Sequence, residues 1–456
     1  MLIVESSGGV VTHRETGGSG AGCSARLGPR RSRWVRRQIG VAATSRELPS
    51  RARIVFTSTM PIRLSRRAFP SFTLAPSLFT VLVAATACAA FAEEPAEASA
   101  LPQDPGSSAA LDAKTQHALD ELLESYLAQQ GIPGLSAAIA RDGDVIWSHA
   151  YGLADVENEV PARVDTAYRT ASIGKCITAT AALRLVERGE LDLDRPIQDY
   201  TAAFPPKPWP ITARHLLTHT SGIRHYGGPR DREEHTSNFH YASIADALAP
   251  FKDDALLFEP GTQWSYSTYG YDVLGCVLEG AAHAEFMEII RAEVFEPCGM
   301  TSSRADDPAE IVPHRAAGYI RVDGRLQNAV HVDMSNRLPA GGYLTTAPEL
   351  ARFAAKFIDC ELVSRATRDA MLTEVRLRNG DTVNYGFGWA IGELPSGQVD
   401  GTATHGGSSP GVSGMLYIDP ARRLGVAFLT NLEDAPERQP TARALAELVA
   451  GDERKR

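Results

Sequence analysis

Ser172 and Lys175 have the clearest chemical potential in the chain, because they stand three positions apart in Ser172-Ile173-Gly174-Lys175. A serine hydroxyl is a weak nucleophile until a neighbouring base takes its proton, and a neutral lysine amine can be that base. The Ala- and Leu-rich run that follows predicts a helix, and residues three apart lie on one face of a helix. Burial among the apolar neighbours would lower the lysine pKa from about 10.4, which this role requires. The pair predicts acyl transfer to Ser172. Taken alone, it also fits a helix-capping serine beside a surface lysine.

The segments on either side of this pair predict the fold that positions it. Two apolar strands flank Asp142-Gly143, which is a hairpin signal. Strands near both chain ends with helices between them predict an α/β (α+β) fold, in which an antiparallel sheet is formed from both chain ends and flanked by helices. Helical patterns broken by proline-rich loops predict an inserted, mostly helical lobe over about residues 190–335. The remaining predicted elements are a helix at 111–131, a turn and helix within 338–358, strands at 414–420 and 425–431, and a final helix at 437–449.

The N-terminal region predicts export. Arginines at 63, 66 and 67 precede an apolar run, 78–92, that ends in Ala90-Phe91-Ala92. This is the pattern of a secretory signal peptide, and it is too short for a lasting membrane span. The sequence therefore predicts a periplasmic or secreted protein. Export by the general or the twin-arginine route, and lipidation at Cys88, stay open.

These patterns divide the chain into four parts. We expect residues 1–59 to be an N-terminal extension from an over-called start, because they are rich in Arg, Gly and Ser and carry little apolar periodicity. The other parts are a signal peptide at 60–92, a linker at 93–112 and a serine hydrolase domain at 113–456. The four cysteines of that domain show no close pairing, and we expect all of them to be buried thiols: Cys176, Cys276, Cys298 and Cys360.

The charge distribution argues against nucleic acid as a partner. The net charge is −9, and the basic residues are concentrated before residue 93, so the folded part is strongly acidic. Binding phosphate backbones requires a basic face. We expect a small-molecule or peptide substrate instead, and an oligomer stays possible.

Further motifs follow the Ser-x-x-Lys pair in a recognisable order. They include Tyr266-Ser267-Thr268 and His405-Gly406-Gly407, together with the segments "HLLTHTSGI" and "LPAGGYLTTAPELARF". With them, residues 116–450 resemble the serine β-lactamase and penicillin-binding protein superfamily. The resemblance is to its class C-like branch, and in detail to the mitochondrial serine β-lactamase-like proteins and their bacterial relatives.

The resemblance implies a role for each matching residue. Ser172 would be acylated, Lys175 would share its proton, and Tyr266 would relay a proton to the leaving group. The backbone N–H groups of Ser172 and Ser408 would form the oxyanion hole. Substrate-binding positions would be Thr268, His405, Gly406 and Gly407, with the two glycines letting the substrate backbone approach closely.

Two departures from the family pattern bear on the substrate. Thr268 replaces an asparagine that touches the lysine and the substrate amide, and His405 replaces a lysine that helps to recognise a substrate carboxylate. A histidine with a pKa near 6.5 would be charged only as the pH falls towards 6, so recognition of carboxylates would be weak at neutral pH. Both departures put strong β-lactam hydrolysis in doubt and leave acyl transfer intact.

The sequence therefore predicts an exported serine hydrolase that acts through an acyl-enzyme on a peptide or a related small amide or ester. We expect no cofactor. We also expect no metal, since no glutamate follows His215 in the pair His215 and His219. Two alternatives stay open: a carboxylesterase of the same fold, and a catalytically weak scaffold or penicillin-binding sensor.

Overall fold

The computed structural model describes residues 111–453, except 228–230, 394–395 and 397. The predicted extension, the signal peptide and nearly all of the linker lie outside these residues. Leu111, predicted as linker, is buried against the folded domain. Among the described residues, no helix combines the length and the apolar character that a membrane crossing needs.

The core of the fold is a seven-stranded antiparallel sheet made from both ends of the described chain. Its interior strand β1 pairs with β14 along seven residues on one side and with β2 on the other. The predicted sheet from both chain ends is thereby confirmed. In spatial order the strands are β11 (Ala390–Glu393), β12 (Val399–Ser409), β13 (Val412–Asp419), β14 (Leu424–Thr430), β1 (Gly134–Arg141), β2 (Asp144–Asp155) and β3 (Val160–Pro161).

The hairpin between β1 and β2 turns at the predicted dipeptide. Asp142 and Gly143 both have positive φ, 53° and 94°. Two left-handed residues in a two-residue loop match the right-handed twist of the flanking strands, so this turn sets the register of the pair.

Helices cover both faces of the sheet, which explains why its central strands read as continuous apolar runs. Helices α1 (Ala113–Gln130) and α12 (Arg438–Glu453) pack on one face, and α10 (Ala347–Ile358) packs on the other. Side chains of β14 alternate between the two cores, with Phe428 facing α1 and α12 and Leu429 facing away from them. The α10 face is built from small residues, so this helix approaches the sheet closely.

The segment from 190 to 335 is less regular than the predicted helical lobe. It contains one long helix, α6 (Thr268–Ala282), and a two-stranded hairpin. The shorter elements in it are α3 (Ala213–Leu217), α4 (Asp231–His235), α5 (Ile244–Ala247), α7 (Phe286–Ile290), α8 (Glu296–Cys298), β5 (Arg304–Ala305), β6 (Tyr319–Val322) and β7 (Arg325–Asn328).

A small three-stranded sheet leads into the region of Ser172. Its order is β4–β8–β5, so β8 lies between β4, which precedes Ser172, and β5 of the irregular segment. The elements not yet bounded are α2 (Gly174–Glu187), β4 (Tyr168–Arg169), α9 (Leu338–Gly341), β8 (Tyr343–Thr345), α11 (Arg365–Met371), β9 (Val375–Arg376) and β10 (Thr382–Val383).

The four cysteines of the domain are free thiols, and three of them are buried. Cys360 is only partly buried, contrary to the prediction. It lies in the turn after α10 with a positive φ of 60°, where the chain bends at the surface.

Candidate active site

Ser172 lies on a tight turn between β4 and α2. The turn is a short 3-10 helix, Ala171–Ile173, so Ser172 sits just before α2 rather than in its first turn as predicted. Ala171 has a φ of 46°, a left-handed conformation that costs an alanine about 1–2 kcal/mol. The turn leaves Ser172 half-buried while its neighbour Ile173 is fully buried, so the hydroxyl stays accessible.

Lys175 lies against the serine hydroxyl in the first turn of α2. Its Nζ is 3.2 Å from Ser172 Oγ and donates to the carbonyl oxygen of Ala340 at 3.0 Å. Burial lowers the pKa of Lys175 to about 7; Asp272 opposes this shift, and Arg337 adds to it. A large share of the lysine is therefore an uncharged amine near neutral pH, which is the form that can take a proton from the serine.

Three consecutive carbonyls of α9 hold the nucleophile region in place. Pro339 O accepts from Thr178 Oγ1 at 2.7 Å, Ala340 O accepts from Lys175, and Gly341 O accepts from Thr170 Oγ1 at 3.1 Å. Gly341 has a φ of 139°, and a Cβ there would lie 1.8 Å from the carbonyl oxygen of Ala171. Only glycine allows α9 to approach the turn this closely.

Tyr266 lies over the Lys175 amine. Its ring centroid is 5.1 Å from Lys175 Nζ and 4.3 Å from the ring of His219. Burial raises the pKa of Tyr266 above its usual value of 10, and a hydrogen bond with Ser172 offsets part of this shift. The phenol is therefore neutral at physiological pH and can donate its proton.

Two imidazoles fix the backbone on which Tyr266 stands. The N–H of Ser267 donates to His219 Nδ1 at 3.1 Å, and the N–H of Thr268 donates to His225 Nδ1 at 3.2 Å. Ser267 also caps α6, accepting from Gly270 N–H at 2.9 Å. The backbone N–H groups at the start of α6 thus have partners despite their burial.

Thr268 is buried at the start of α6, and its side chain contacts Tyr226 and Tyr266. The hydrogen bonds found for Lys175 Nζ among the described residues go to Ser172 and Ala340. Among these residues, Thr268 therefore does not make the lysine contact that the resemblance assigns to an asparagine at this position. Contact between Thr268 and a substrate stays a prediction.

Strand β12 carries Ser408 at an unpaired edge. The motif His405-Gly406-Gly407 lies within this strand. Strand β11 pairs with β12 only up to Thr404, and no other described strand covers the edge beyond that point. A two-residue turn closes at the pair Ser409 and Val412, which is therefore hydrogen-bonded. Because such pairs alternate, the N–H of Ser408 points away from β13 towards the open edge.

The two glycines of the motif His405-Gly406-Gly407 have different surroundings. A Cβ on Gly407 would lie 2.4 Å from the carbonyl oxygen of Thr170 and 3.3 Å from Ala171 Cβ. A Cβ on Gly406 would meet only the flexible end of Met415, at 3.4 Å. Gly407 therefore lets β12 pack against the turn that carries Ser172. The sequence predicted only that the two glycines let the substrate backbone approach closely.

His405 is buried, and both of its ring nitrogens have partners. Nδ1 is 2.8 Å from Gly406 O, which only accepts, so Nδ1 carries the proton. Nε2 then accepts from Tyr385 OH at 3.0 Å, and Tyr385 accepts from His219 Nε2 at 3.1 Å. His219 Nδ1 accepts from the Ser267 N–H, so the proton of His219 is on Nε2 and can be donated to Tyr385. Each hydrogen bond of the His219–Tyr385–His405 chain therefore has one donor and one acceptor.

The environment keeps His405 uncharged. Burial and the nearby Lys175 lower the pKa of His405 to about 3. The expectation that His405 gains charge as the pH falls towards 6 is therefore wrong, because the ring is desolvated and its Nε2 accepts a hydrogen bond. Contact between His405 and a substrate stays a prediction.

The two histidines at metal-like spacing serve other purposes. His215 Nδ1 accepts from Thr212 N–H at 3.2 Å and completes the cap of α3, while His219 belongs to the chain just described. No cluster of three or more metal-ligating side chains occurs in the part of the chain that the structure describes.

Sequence reasoning missed three contributors to the site. Tyr385 stands in the segment "NYGFGWAI", which lies outside the motifs that predict the site. The Ala340 carbonyl is invisible to side-chain reasoning, although the segment "LPAGG" was singled out. Asp272 could have been found, because it is a lone carboxylate in the apolar run "TYGYDVLGCVL".

Comparisons with known proteins agree with this geometry. A family model described as Beta-lactamase matches residues 119–450. Penicillin-binding protein 4* of Bacillus subtilis is 28% identical over 330 residues, 68% of this chain and 70% of its own length. Esterase EstB of Burkholderia gladioli is 30% identical over 357 residues, covering 69% of this chain and 89% of the esterase.

The mitochondrial serine beta-lactamase-like protein LACTB of Homo sapiens is 28% identical over 299 residues. The match covers 51% of this chain and 54% of that protein, so the chain spans about half the length of this relative. Among solved structures, the octameric penicillin-binding protein homologue from Pyrococcus abyssi superposes with a TM-score of 0.63 at 27% identity. It covers 74% of this chain and 77% of its own. The chain belongs to the β-lactamase family and has the fold of its penicillin-binding protein-like members.

Proposed function

We propose that the protein is an exported serine hydrolase that forms an acyl-enzyme on Ser172 and acts on esters or amides of small molecules or peptides. The observation that carries the proposal is the contact between Lys175 Nζ and Ser172 Oγ at 3.2 Å, made by a fully buried lysine on an accessible serine. Its similarity to an esterase and to penicillin-binding proteins supports the same reaction class.

In the acylation step, the neutral amine of Lys175 takes the proton of Ser172 while Oγ attacks the substrate carbonyl carbon. The carbonyl oxygen becomes an oxyanion, which the N–H groups of Ser172 and Ser408 bind at the open edge of β12 in this proposal. The bond to the leaving group then breaks. Tyr266 donates its phenolic proton to the leaving group and regains one from the Lys175 ammonium.

Hydrolysis of the acyl-enzyme reverses these transfers with water as the nucleophile. The neutral Lys175 and Tyr266 remove a proton from the water, whose oxygen attacks the acyl carbon. The bond to Ser172 Oγ breaks, and the serine regains its proton from the same pair. Every group returns to its starting protonation state, so the cycle needs no cofactor.

The state of His405 favours substrates without a required carboxylate at that position. A neutral imidazole with both nitrogens occupied offers no positive charge to an anion. A charge-assisted hydrogen bond is roughly twice as strong as a neutral one, so its loss lowers affinity for carboxylate-bearing substrates such as β-lactams. This observation favours the carboxylesterase candidate over a β-lactamase.

Export is part of the proposal and rests on the N-terminal pattern of the sequence. The test is N-terminal sequencing of the native protein after cell fractionation. A chain that begins near Glu93 outside the cytoplasm supports export. A cytoplasmic chain that keeps the apolar run 78–92 refutes it.

The catalytic proposal is tested by incubating the purified protein with a fluorophosphonate and with labelled penicillin, followed by intact-mass and peptide mass spectrometry. A neutral p-nitrophenyl ester gives the turnover rate in parallel. An adduct on Ser172 that forms and disappears with ester turnover is the expected result. Ser172→Ala is the control and should lose both the adduct and the turnover, since the members of one nucleophilic unit fail together.

The same experiment separates the alternatives. A penicilloyl adduct that persists without turnover would indicate a penicillin-binding sensor. No adduct with either probe would indicate a scaffold. Ester hydrolysis at the wild-type rate by Ser172→Ala would refute the assignment of the nucleophile.

A further inference from the structure

Asp272 is a buried carboxyl group without hydrogen bonds. It lies in the middle of α6 with no exposed surface, and neither carboxyl oxygen has a hydrogen-bond partner among the described residues. An isolated carboxylate in such a place is costly unless a nearby positive charge compensates for it or the group holds a proton. A hydrophobic residue would fill this helix position at lower cost, so the acidic group requires an explanation.

The charged groups around Asp272 come from several packed elements. Helix α6 packs against α2 and α9, and the ring of Tyr271, the residue before Asp272, has its centroid 5.5 Å from Lys175 Nζ. The titratable and charged groups that interact electrostatically with Asp272 are Lys175 on α2, Arg337 at the end of the 3-10 turn Met334–Arg337, Tyr226, Tyr343 on β8 and Cys276 on α6.

Of the two cations, Arg337 is already engaged. Its guanidinium donates to Asn336 Oδ1 and to the carbonyl oxygens of Glu234 and His235. Among the described residues, Lys175 has a single hydrogen bond to the fixed protein framework, at Ala340 O, and one contact with the reacting serine. Lys175 is therefore the cation whose protonation changes during the proposed reaction. Asp272 can stabilise its charged form.

We propose that Asp272 is a positioning residue for the proton on Lys175: its carboxyl group is the buried acidic partner that stabilises the ammonium formed when Ser172 is acylated. The proposal rests on the catalytic roles of Ser172 and Lys175 proposed above. Asp272 does not touch the substrate and forms no bond with it.

The two groups share one electrostatic site. Burial raises the pKa of Asp272 well above its usual value, while Lys175 and Arg337 oppose that shift. Burial lowers the pKa of Lys175, while Asp272 opposes that shift. With Asp272 ionised, proton transfer from Ser172 turns a neutral amine beside a carboxylate into an ion pair, so the buried pair carries no net charge while the tetrahedral intermediate exists. Interacting groups of this kind titrate as a pair.

The experiment measures the pH dependence of the second-order rate of Ser172 acylation by a neutral p-nitrophenyl ester. Asp272→Asn keeps the shape and removes the negative charge. We expect the acid limb of the profile to move to lower pH by about one unit, and the plateau rate to fall about ten-fold, with an unchanged KM. The fall in the plateau reflects an ammonium that has lost its partner.

Glu279→Gln is the matched control, because this half-buried glutamate stands two turns further along α6 and accepts from Phe286 N–H. Its acid limb should coincide with that of the wild type. Asp272→Leu is the second variant in case the asparagine fails to fold, since an apolar residue of similar volume is tolerated at such sites. It should show the same shift. An acid limb that stays at the wild-type midpoint in both Asp272 variants would overturn the proposal.

A direct titration separates this inference from the proposed function. The chain has only six lysines, so lysine labelled with ¹³C at Cε gives a short NMR spectrum, and Lys175→Arg identifies the signal. Asp272→Asn should lower the midpoint at which Lys175 loses its proton, whether or not Ser172 is acylated by any ester. An unchanged midpoint would refute the role of Asp272. Absence of an adduct on Ser172 together with a shifted midpoint would refute only the proposed function.

Discussion

Replacement of Gly407 by alanine should slow acylation of Ser172 sharply. The new Cβ would lie 2.4 Å from the carbonyl oxygen of Thr170, 3.2 Å from Ile173 Cγ1 and 3.3 Å from Ala171 Cβ. Ordinary contacts between heavy atoms lie near 3.5 Å, so β12 and the nucleophile turn must separate by about 1 Å. A displacement of about 1 Å between reacting groups can lower a rate by roughly a hundred-fold. We expect a decrease of that size in the acylation rate, and an overpacking cost of about 1–3 kcal/mol in the free energy of unfolding.

The assay is the rate of the nitrophenol burst on mixing with a neutral ester, with urea unfolding measured on the same preparations. Gly406→Ala is the control, because its Cβ would meet only Met415 Cε at 3.4 Å and Gly414 O at 4.0 Å. It should unfold like the wild type. Wild-type burst kinetics in Gly407→Ala would show that the strand and the turn do not need this contact. A larger loss of burst rate in Gly406→Ala than in Gly407→Ala would support the role that the sequence predicted for the motif, which is to let the substrate backbone approach closely.

Three further predictions concern protons and hydrogen bonds at the site. Because burial lowers the pKa of Lys175 to about 7 and the free amine is the base, kcat/KM for a neutral ester should rise with pH around a midpoint near 7; a profile without an acid limb in stopped-flow rates would contradict this. Because the pKa of His405 is about 3, the ratio of kcat/KM for an anionic and a neutral ester should stay constant between about pH 6 and pH 8. A ratio that increases towards pH 6 would indicate that His405 becomes charged there, contrary to this reasoning. Tyr385→Phe should lower the free energy of unfolding by about 1–3 kcal/mol in urea, because two buried imidazoles lose a partner. Tyr200→Phe, which loses a hydrogen bond to an exposed backbone N–H, should cost less, and equal costs would refute the reasoning.

The elements with a clear hydrophobic periodicity or a clear turn motif could be predicted from the sequence. The hairpin at Asp142-Gly143, the helix that ends at Gly131 and the strands that became β13 and β14 are all present within a few residues of their predicted bounds. These features depend on local chemistry, namely left-handed turn residues and apolar periodicity. The irregular segment between 190 and 335 was predicted less well, because its short turns are joined by backbone hydrogen bonds between residues far apart in the sequence, such as Leu257 N–H to Gly222 O and Ser265 N–H to His219 O.

The catalytic pair was accessible to sequence reasoning because three residues of separation fix its geometry. The supports of that pair were not. Ala340 contributes a backbone carbonyl 165 residues from the lysine it holds, and Tyr385 joins two histidines that lie 166 and 20 residues from it. The charge state of His405 depends on the same distant contacts, so its pKa could not be predicted from residue type alone.

The interior position of β1 beside β14 has a consequence for how the chain folds. The N–H of Gly134 bonds to the side chain of Asn431, 297 residues away, next to the seven pairs that join the two strands. Closing so long a loop costs entropy before the pairing returns any stability, so folding of this sheet should be slow. During synthesis, the hairpin of β1 and β2 emerges early. The edge of β1 that pairs with β14 in the folded protein stays unpaired until β14 has been made. That exposed apolar edge is a template for pairing with other chains, so truncations that remove β14 should aggregate rather than leave a smaller folded unit.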